Sequence, residues 1–522
     1  MISLYREEVQ GSYFLGPIVT QAIPGTADSI SPFIVIDGQQ RLTTLTILLS
    51  ALRNHLKKTD KDIAQEIDEL YLINKFKKND DIYKVLPTQG DRDVYKSIVQ
   101  SKQAKDIKKE GQIYEAYKFF EGLFKKPDIE DETEFDLTKF KTILLEKLIL
   151  VNITTDDGDN PYLIFESLNN KGEDLTQADL VRNYIFMKLA PEDRDDIYNN
   201  EWYPLQESFK VCTESKEYTT ELTNALWFYL RKDGDAVSEK EVYKNIKKRF
   251  DRSQVGTKAE LENLIKFIKY YQRIKFFKDE PQPKLKRRFE RLIRLDFQTC
   301  QIFLLNIYNL YDEGSLSLAE FEEILRYLES YFIRRLLANI PTNTLGTVFN
   351  ALYSEVKKVN ADNIVEGLRQ VMRSFEKTKV FPDDEAFRQG IIHATLYTKK
   401  PSDRAKLILE TIETSLTKET PNYENLNIEH VMPQTLSKEW KTALGANHAS
   451  IHKKWVHTLG NLTLTGYNPQ LSNDSFVEKL NILNSSNVSL NKYFQNITNW
   501  NEEAIQTRAN YLADLAIKIW PR

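Results

Sequence analysis

From about residue 178 to 415, apolar residues recur at helical spacing across almost half of the 522-residue chain. Such a run buries itself only by packing helix on helix, so any sheet is confined to the two ends. The run is punctuated by Asp279-Glu-Pro-Gln-Pro283 and by Pro341, where proline stops one helix and lets another start. Before it, residues 12 to 37 carry two β-like runs, SYFLGPIVT and PFIVID. Leu42, Leu45, Leu48, Leu49 and Leu52 then form one helical stripe, giving a strand, tight turn and helix. A third β-like run, LILVNITT, covers 148 to 155, and PYLIFESLNN reads as a short helix. Thr176 with Asp179 resembles a capping box at the next helix start. After the helical run, TKETPNYENLN at 416 to 427 reads as a linker into a chemically different tail. The expected class is α+β and mostly α-helical.

Composition narrows the function classes. No apolar run approaches the roughly 20 residues that span a bilayer, and MISLYREEVQ is no signal peptide, so a cytoplasmic protein without a membrane partner is expected. Cys212 and Cys300 alone support neither a disulfide framework nor a paired zinc motif. Neither a Walker A sequence nor an HExxH motif occurs. The net charge is −4, yet residues 244 to 294 hold 17 Lys and Arg against 6 Asp and Glu, a local +11. Its aromatics read most simply as helix core with cationic stems lying across it. If the stretch meets DNA, Lys284, Lys286, Arg287, Arg288, Arg291 and Arg294 are the expected phosphate-gripping face.

The tail concentrates chemistry. Four of the six histidines lie between 430 and 457, and four of the six tryptophans between 440 and 520. Its core reads Asn427-Ile-Glu-His-Val-Met-Pro-Gln434, then Leu459-Gly-Asn-Leu-Thr-Leu-Thr-Gly-Tyr-Asn468, then Ser472-Asn-Asp-Ser-Phe476. Phosphodiester hydrolysis needs a base for water and a cation to neutralise phosphate charge. His430 suits the first role, and Glu429 and Asn468 are hard oxygen donors of the kind Mg²⁺ takes. Alone, EHVMP is equally a strand end before a proline turn, and asparagines near Gly or Pro commonly make turns.

The joint pattern of strand, long loop, hairpin-like LGNLTLTGYN and helix resembles the HNH, or His-Me finger (ββα-metal), nuclease fold. EHVMPQ, LGNLTL, the later asparagine and SNDSF with Lys479 are similar to the C-terminal HNH domain of the GmrSD-type modification-dependent (type IV) restriction enzymes. That resemblance implies His430 as general base, Asn461 as the asparagine that positions the catalytic loop, and Asn468 as metal ligand for Mg²⁺ or Mn²⁺. Glu429 matches the acidic residue before the histidine. Neighbours in a regular strand face opposite ways, so Glu429 ranks below His430 and Asn468. His457 either touches phosphate or packs, packing being the simpler reading. Trp440, Trp455, Trp500 and Trp520 are expected in the core.

At the other end, Asp37-Gly-Gln-Gln-Arg41 sets a carboxylate at a strand end, a glycine in the turn and an arginine on the first helical turn. Helix N-termini attract anions and arginine grips phosphate, although an N-cap aspartate with a surface arginine gives the same letters. IDGQQRLTTL, with YFLG upstream and FESLNNKGEDLTQADLVRN downstream, resembles the DGQQR-type, ParB-like N-terminal domain of the same enzymes. The resemblance implies that Asp37, Gly38, Gln39, Gln40 and Arg41 bind a nucleoside triphosphate, with Asn169 and Lys171 contributing. Relatives carry an extra strand and helix with a further Gln-Arg motif before YFLG, so this domain is expected to be N-terminally shortened, which bears on nucleotide hydrolysis.

Three domains are expected: 1–185 DGQQR-type and α/β, 186–415 helical, and 416–522 HNH. The expected function is a metal-dependent endonuclease of restriction and phage defence that cuts modified DNA under nucleotide regulation, with a homo-oligomer compatible. The rivals are a nucleotide-binding sensor or scaffold with an inactive HNH domain, and a toxin-like nuclease that cuts RNA.

Overall fold

The computed structural model describes residues 5, 11–23, 31–87, 92–101, 111–125, 136–155, 176–213, 217–397, 403–417, 422–466 and 473–522. It divides into two compact units, Met1–Leu175 with Asp195–Tyr203, and Thr176–Arg194 with Pro204–Arg522. The helical middle and the tail belong to the same unit. Helices dominate, and among the described residues none is long and apolar enough to cross a membrane.

In the first unit, β1 (Tyr13–Ala22) is the centre of a three-stranded sheet. It pairs antiparallel with β2 (Phe33–Asp37) and parallel with β3 (Leu148–Thr155), the runs that the β-branched and aromatic residues predict. Gly38 links β2 to helix α1 (Gln39–Leu56) at φ +88°, and a Cβ there would strike the Ile18 side chain. Only glycine lets the chain turn this tightly against β1. Leu48, Leu49 and Leu52 of the predicted stripe are buried, among Tyr95, Ile98, Tyr117 and Phe124. Arg53, on the same helix, is buried as well, so its charge and donors need partners. It pairs with Asp68 and donates to the carbonyls of Ile98 (3.1 Å) and Val99 (2.8 Å). The expected helix PYLIFESLNN lies outside the described residues.

The second unit opens where Thr176 caps its helix, accepting from the Asp179 N–H at 3.2 Å. Helix α2 (Pro283–Arg294) starts with proline at the first turn, where the missing N–H costs nothing. Helix α3 (Leu318–Leu337) opens with a Ser317/Glu320 capping box. Its buried Arg334 donates to the carbonyls of Trp520 (2.7 Å) and Pro382 (3.1 Å) and pairs with Asp384 (2.7 Å) on α4 (Asp384–His393). Gly390 of α4 permits close packing on α3, since a Cβ would lie 2.6 Å from the Leu337 carbonyl carbon. Helix α5 (Asp403–Leu416) then leads towards the tail.

The tail contains a two-stranded antiparallel hairpin, β4 (Asn427–His430) against β5 (Leu462–Thr465), with Glu429 opposite Thr463 and His430 opposite Leu462. The connection carries helix α6 (His448–Trp455) and a 3₁₀ turn at Leu459–Asn461. LGNLTL is therefore turn plus strand, and its partner is NIEH rather than its own second half. Helix α7 (Phe476–Ser485) begins with a Ser475/Glu478 capping box, and α8 (Glu502–Ile519) closes the chain. Trp440, Trp455, Trp500 and Trp520 are all buried.

Candidate active site

His430 ends β4, and the backbone beyond it is held by one side chain. Asn461 is fully buried, and its Oδ1 accepts from the Met432 N–H (2.8 Å) and from Trp500 Nε1 (3.0 Å). Its Nδ2 donates to the carbonyls of Met432 (2.9 Å) and Val456 (3.0 Å), while its own carbonyl accepts from the Val431 N–H (3.0 Å). Both amide acceptor positions and both donors are thus used, which fixes the backbone leaving His430. Beneath, buried Arg508 on α8 donates to the carbonyls of Gly460 (2.9 Å) and Leu462 (2.6 Å). A Cβ at Gly460 would lie 2.6 Å from the Ile505 carbonyl, so the glycine allows this turn to sit on α8.

Strand alternation sends Glu429 and His430 to different surroundings. Glu429 is buried and accepts from Lys479 Nζ on α7 at 2.5 Å, and the same ammonium donates to the His430 carbonyl at 2.8 Å. Burial pushes the Glu429 carboxyl up and the Lys479 ammonium down, and each partner's charge opposes the other's shift. The carboxylate that the sequence offers to a metal is therefore committed to a lysine. Among the described residues no three His, Cys, Asp or Glu side chains gather into a metal site.

The imidazole of His430 faces a second histidine. Its Nε2 lies 3.2 Å from Nδ1 of His457, and the rings meet edge to face at 82°. Tyr397 packs edge-on to His430 at 4.6 Å between centroids and stacks on His457 at 5.9 Å and 17°. His452 of α6 approaches the Pro433 carbonyl through Nε2 at 2.9 Å, tying the loop after His430 to the helix. Burial, with His457, Lys479 and His452 adding like charge, pushes the His430 imidazole down to about 3. His430 is neutral at physiological pH, the form that accepts a proton. Sequence reasoning left His457 between phosphate contact and packing, with packing the simpler reading. The one signal for its position was a histidine two residues before the LGNL turn. Asn468, Asn169 and Lys171 lie outside the described residues.

The basic face takes a different form. Arg291 makes a fork with Glu329 (2.6 and 2.8 Å) and reaches Thr411 (2.7 Å). Arg294 pairs with Asp403 and Glu410, each at 2.6 Å, and Arg288 approaches Glu322 and Glu329 at 3.4 and 3.5 Å. Lys286 donates to the Lys278 carbonyl, and Lys284 and Arg287 are exposed. These arginines join α2 to α3 and α5 and border a cavity of about 1010 Å³ whose lining mixes both signs of charge. Their excess charge in the sequence is balanced in space by carboxylates from later helices.

In the first unit, Asp37 and Arg41 approach at 3.6 Å, Arg41 donates to the Pro17 carbonyl (2.8 Å), and Gln39 donates to the Val35 carbonyl (2.9 Å). Gln39 and Gln40 are exposed. A cavity of about 960 Å³ opens beside the turn, lined by Thr20, Val35, Gln39, Lys77 and Asn152 among others.

A family model for the C-terminal domain of GmrSD restriction endonucleases matches residues 381–515, and one for the GmrSD N-terminal domain matches 2–186. The chain belongs to the GmrSD restriction endonuclease family. The GmrSD C-terminal match takes in the whole His430, Asn461 and Lys479 cluster, and the GmrSD N-terminal match takes in the DGQQR turn. A search of curated proteins returned no match.

Proposed function

We propose that this chain is a DNA endonuclease of the HNH type whose cutting site is built on the β4–β5 hairpin and α7. The observation that carries this reading is a neutral, buried His430 at the end of a strand, locked by Asn461 and Lys479, inside the segment matched to the GmrSD C-terminal domain. In the reaction, His430 takes a proton from water. The water oxygen then bonds to phosphorus as the bond to the leaving sugar oxygen breaks, and solvent protonates that oxygen. A bound phosphodiester, being anionic, raises the basicity of His430 above its value in the free chain.

Mg²⁺ or Mn²⁺ dependence is part of this reading. With Glu429 given to Lys479, the described residues do not form a cation site by themselves, and Asn468 is the remaining protein donor we assign. The cation would supply charge neutralisation at the phosphate. The DGQQR turn and its adjoining cavity we assign to a regulatory nucleoside triphosphate, with Arg41 turning from the Pro17 carbonyl to phosphate. The substrate we infer is modified DNA.

The test is incubation of the full chain with plain plasmid, modified phage DNA and RNA, with Mg²⁺, Mn²⁺ or EDTA. Metal-dependent cutting of DNA, strongest on modified DNA, is expected. RNA preference would make it a toxin-like nuclease. Nucleotide turnover without cutting would make it a sensor with an inactive tail.

A further inference from the structure

The nuclease reading needs His430 to keep one ring nitrogen bare, and the hairpin alone does not decide which. Two imidazole nitrogens 3.2 Å apart must share one proton, because two lone pairs repel and two N–H groups clash. If His457 Nδ1 carries it, His430 Nε2 is the acceptor and a neutral His430 then bears its proton on Nδ1, leaving no free base. If His430 Nε2 carries it, both rings adopt the Nε2–H tautomer, the intrinsically preferred form of histidine, and His430 Nδ1 is bare. Among the described residues Nδ1 of His430 makes no hydrogen bond.

We propose that His457 is a positioning residue for His430: its Nδ1 accepts the His430 Nε2–H, and so holds His430 as the tautomer whose Nδ1 faces the attacking water. This inference rests on the nuclease reading. Contacts beyond His430 also hold His457. Its carbonyl accepts from the N–H groups of Leu396 (2.9 Å) and Tyr397 (3.4 Å), Thr395 bridges to Thr458, and Tyr397 lies over its ring. The segment after α4 thus holds the His457 backbone and stacks Tyr397 on its ring. Once His430 has taken a proton at Nδ1, its Nε2–H becomes a charge-assisted donor to His457, which strengthens the contact as the reaction proceeds. Lys479 and His452, two other basic groups near His430, are held by Glu429 and by the Pro433 carbonyl, so neither competes for Nε2.

Asparagine places an acceptor oxygen near the position of histidine Nδ1, and leucine fills the space without one. The experiment compares the full chain with His457→Asn, His457→Leu and His430→Ala, measuring DNA cutting, the DNA KM and the Mg²⁺ midpoint. His457→Leu should lower kcat about 10- to 100-fold, the range for outer groups that orient a reacting one, with KM and Mg²⁺ midpoint unchanged. His457→Asn should recover most of that loss. Wild-type kcat in a folded His457→Leu, or equal damage in both variants, overturns the proposal. A shifted Mg²⁺ midpoint would make His457 a ligand and likewise overturns it. Nitrogen-15 spectra of histidine-labelled wild type, which need no variant to fold, should show His430 protonated at Nε2 and bare at Nδ1. The reverse tautomer overturns the proposal. Loss of cutting in His430→Ala without loss in His457→Leu would refute this inference and leave the nuclease reading standing.

Discussion

The two motif-bearing regions are built on opposite principles. Around His430 buried side chains clamp the backbone: Asn461 uses its whole amide, Lys479 bridges Glu429 and the His430 carbonyl, and Arg508 collects carbonyls beneath the turn. Around Asp37–Arg41 the contacts are local and half-exposed, with Arg41 and Gln39 satisfied by carbonyls of the adjoining strands and open space alongside. A site that must hold a base against water gains from preorganisation. A site that must admit and release a ligand gains from groups whose present partners are easily given up.

The sharpest way to break this contrast is to remove Lys479. Lys479→Met leaves Glu429 buried without its partner and should cost about 3–5 kcal/mol in urea unfolding of the full chain. Adding Glu429→Leu should restore most of it. A single variant as stable as wild type would mean that the pair does not hold β4.

Asn461→Ser comes next. It orphans the Met432 N–H and the Trp500 indole, at about 1–3 kcal/mol for each buried group left unpaired, and should lower both stability and cutting. Loss of stability without loss of cutting would separate the clamp from the chemistry.

Acid sharpens the comparison further. The His430 imidazole falls from its ordinary value near ~6.5 to about 3 in the folded chain, so between those values the unfolded chain binds more protons. The stabilising contribution is complete above 6.5 and is lost as pH falls. From pH 7 to pH 5 the loss should be about 2 kcal/mol, and His430→Asn should remove it. An unchanged slope would place His430 in a wetter site than its burial implies.

The smallest effect belongs to the other region. Arg41→Ala should change stability by about 1 kcal/mol or less, as half-exposed ion pairs do, yet abolish nucleoside triphosphate binding in calorimetry. A large stability loss without a binding change would make the DGQQR turn structural.

Much of this was legible because its signals are local. The strands at 13–22, 33–37 and 148–155, the leucine stripe after Gly38, the Thr176 cap and the strand character of NIEH and LTLT depend on periodicity and turn chemistry within a few residues. The features that escaped depend on partners far along the chain. Glu429 is neutralised by a lysine 50 residues later, and His457 meets His430 across 27 residues. Arg291 and Arg294 read in the sequence as part of a cationic excess, whereas in the fold Glu329 and Glu410 pair with them. A charge count along one segment cannot see carboxylates on helices that pack there later.

The most direct test of the proposed cutting site is the single-turnover rate of DNA cleavage by wild type and His430→Ala, each shown by thermal melting to be folded. A general base contributes roughly 10²–10⁴-fold, so the variant should lose at least about 100-fold while its melting remains cooperative. A folded His430→Ala that cuts at the wild-type rate would contradict the assignment of the chemistry to this hairpin.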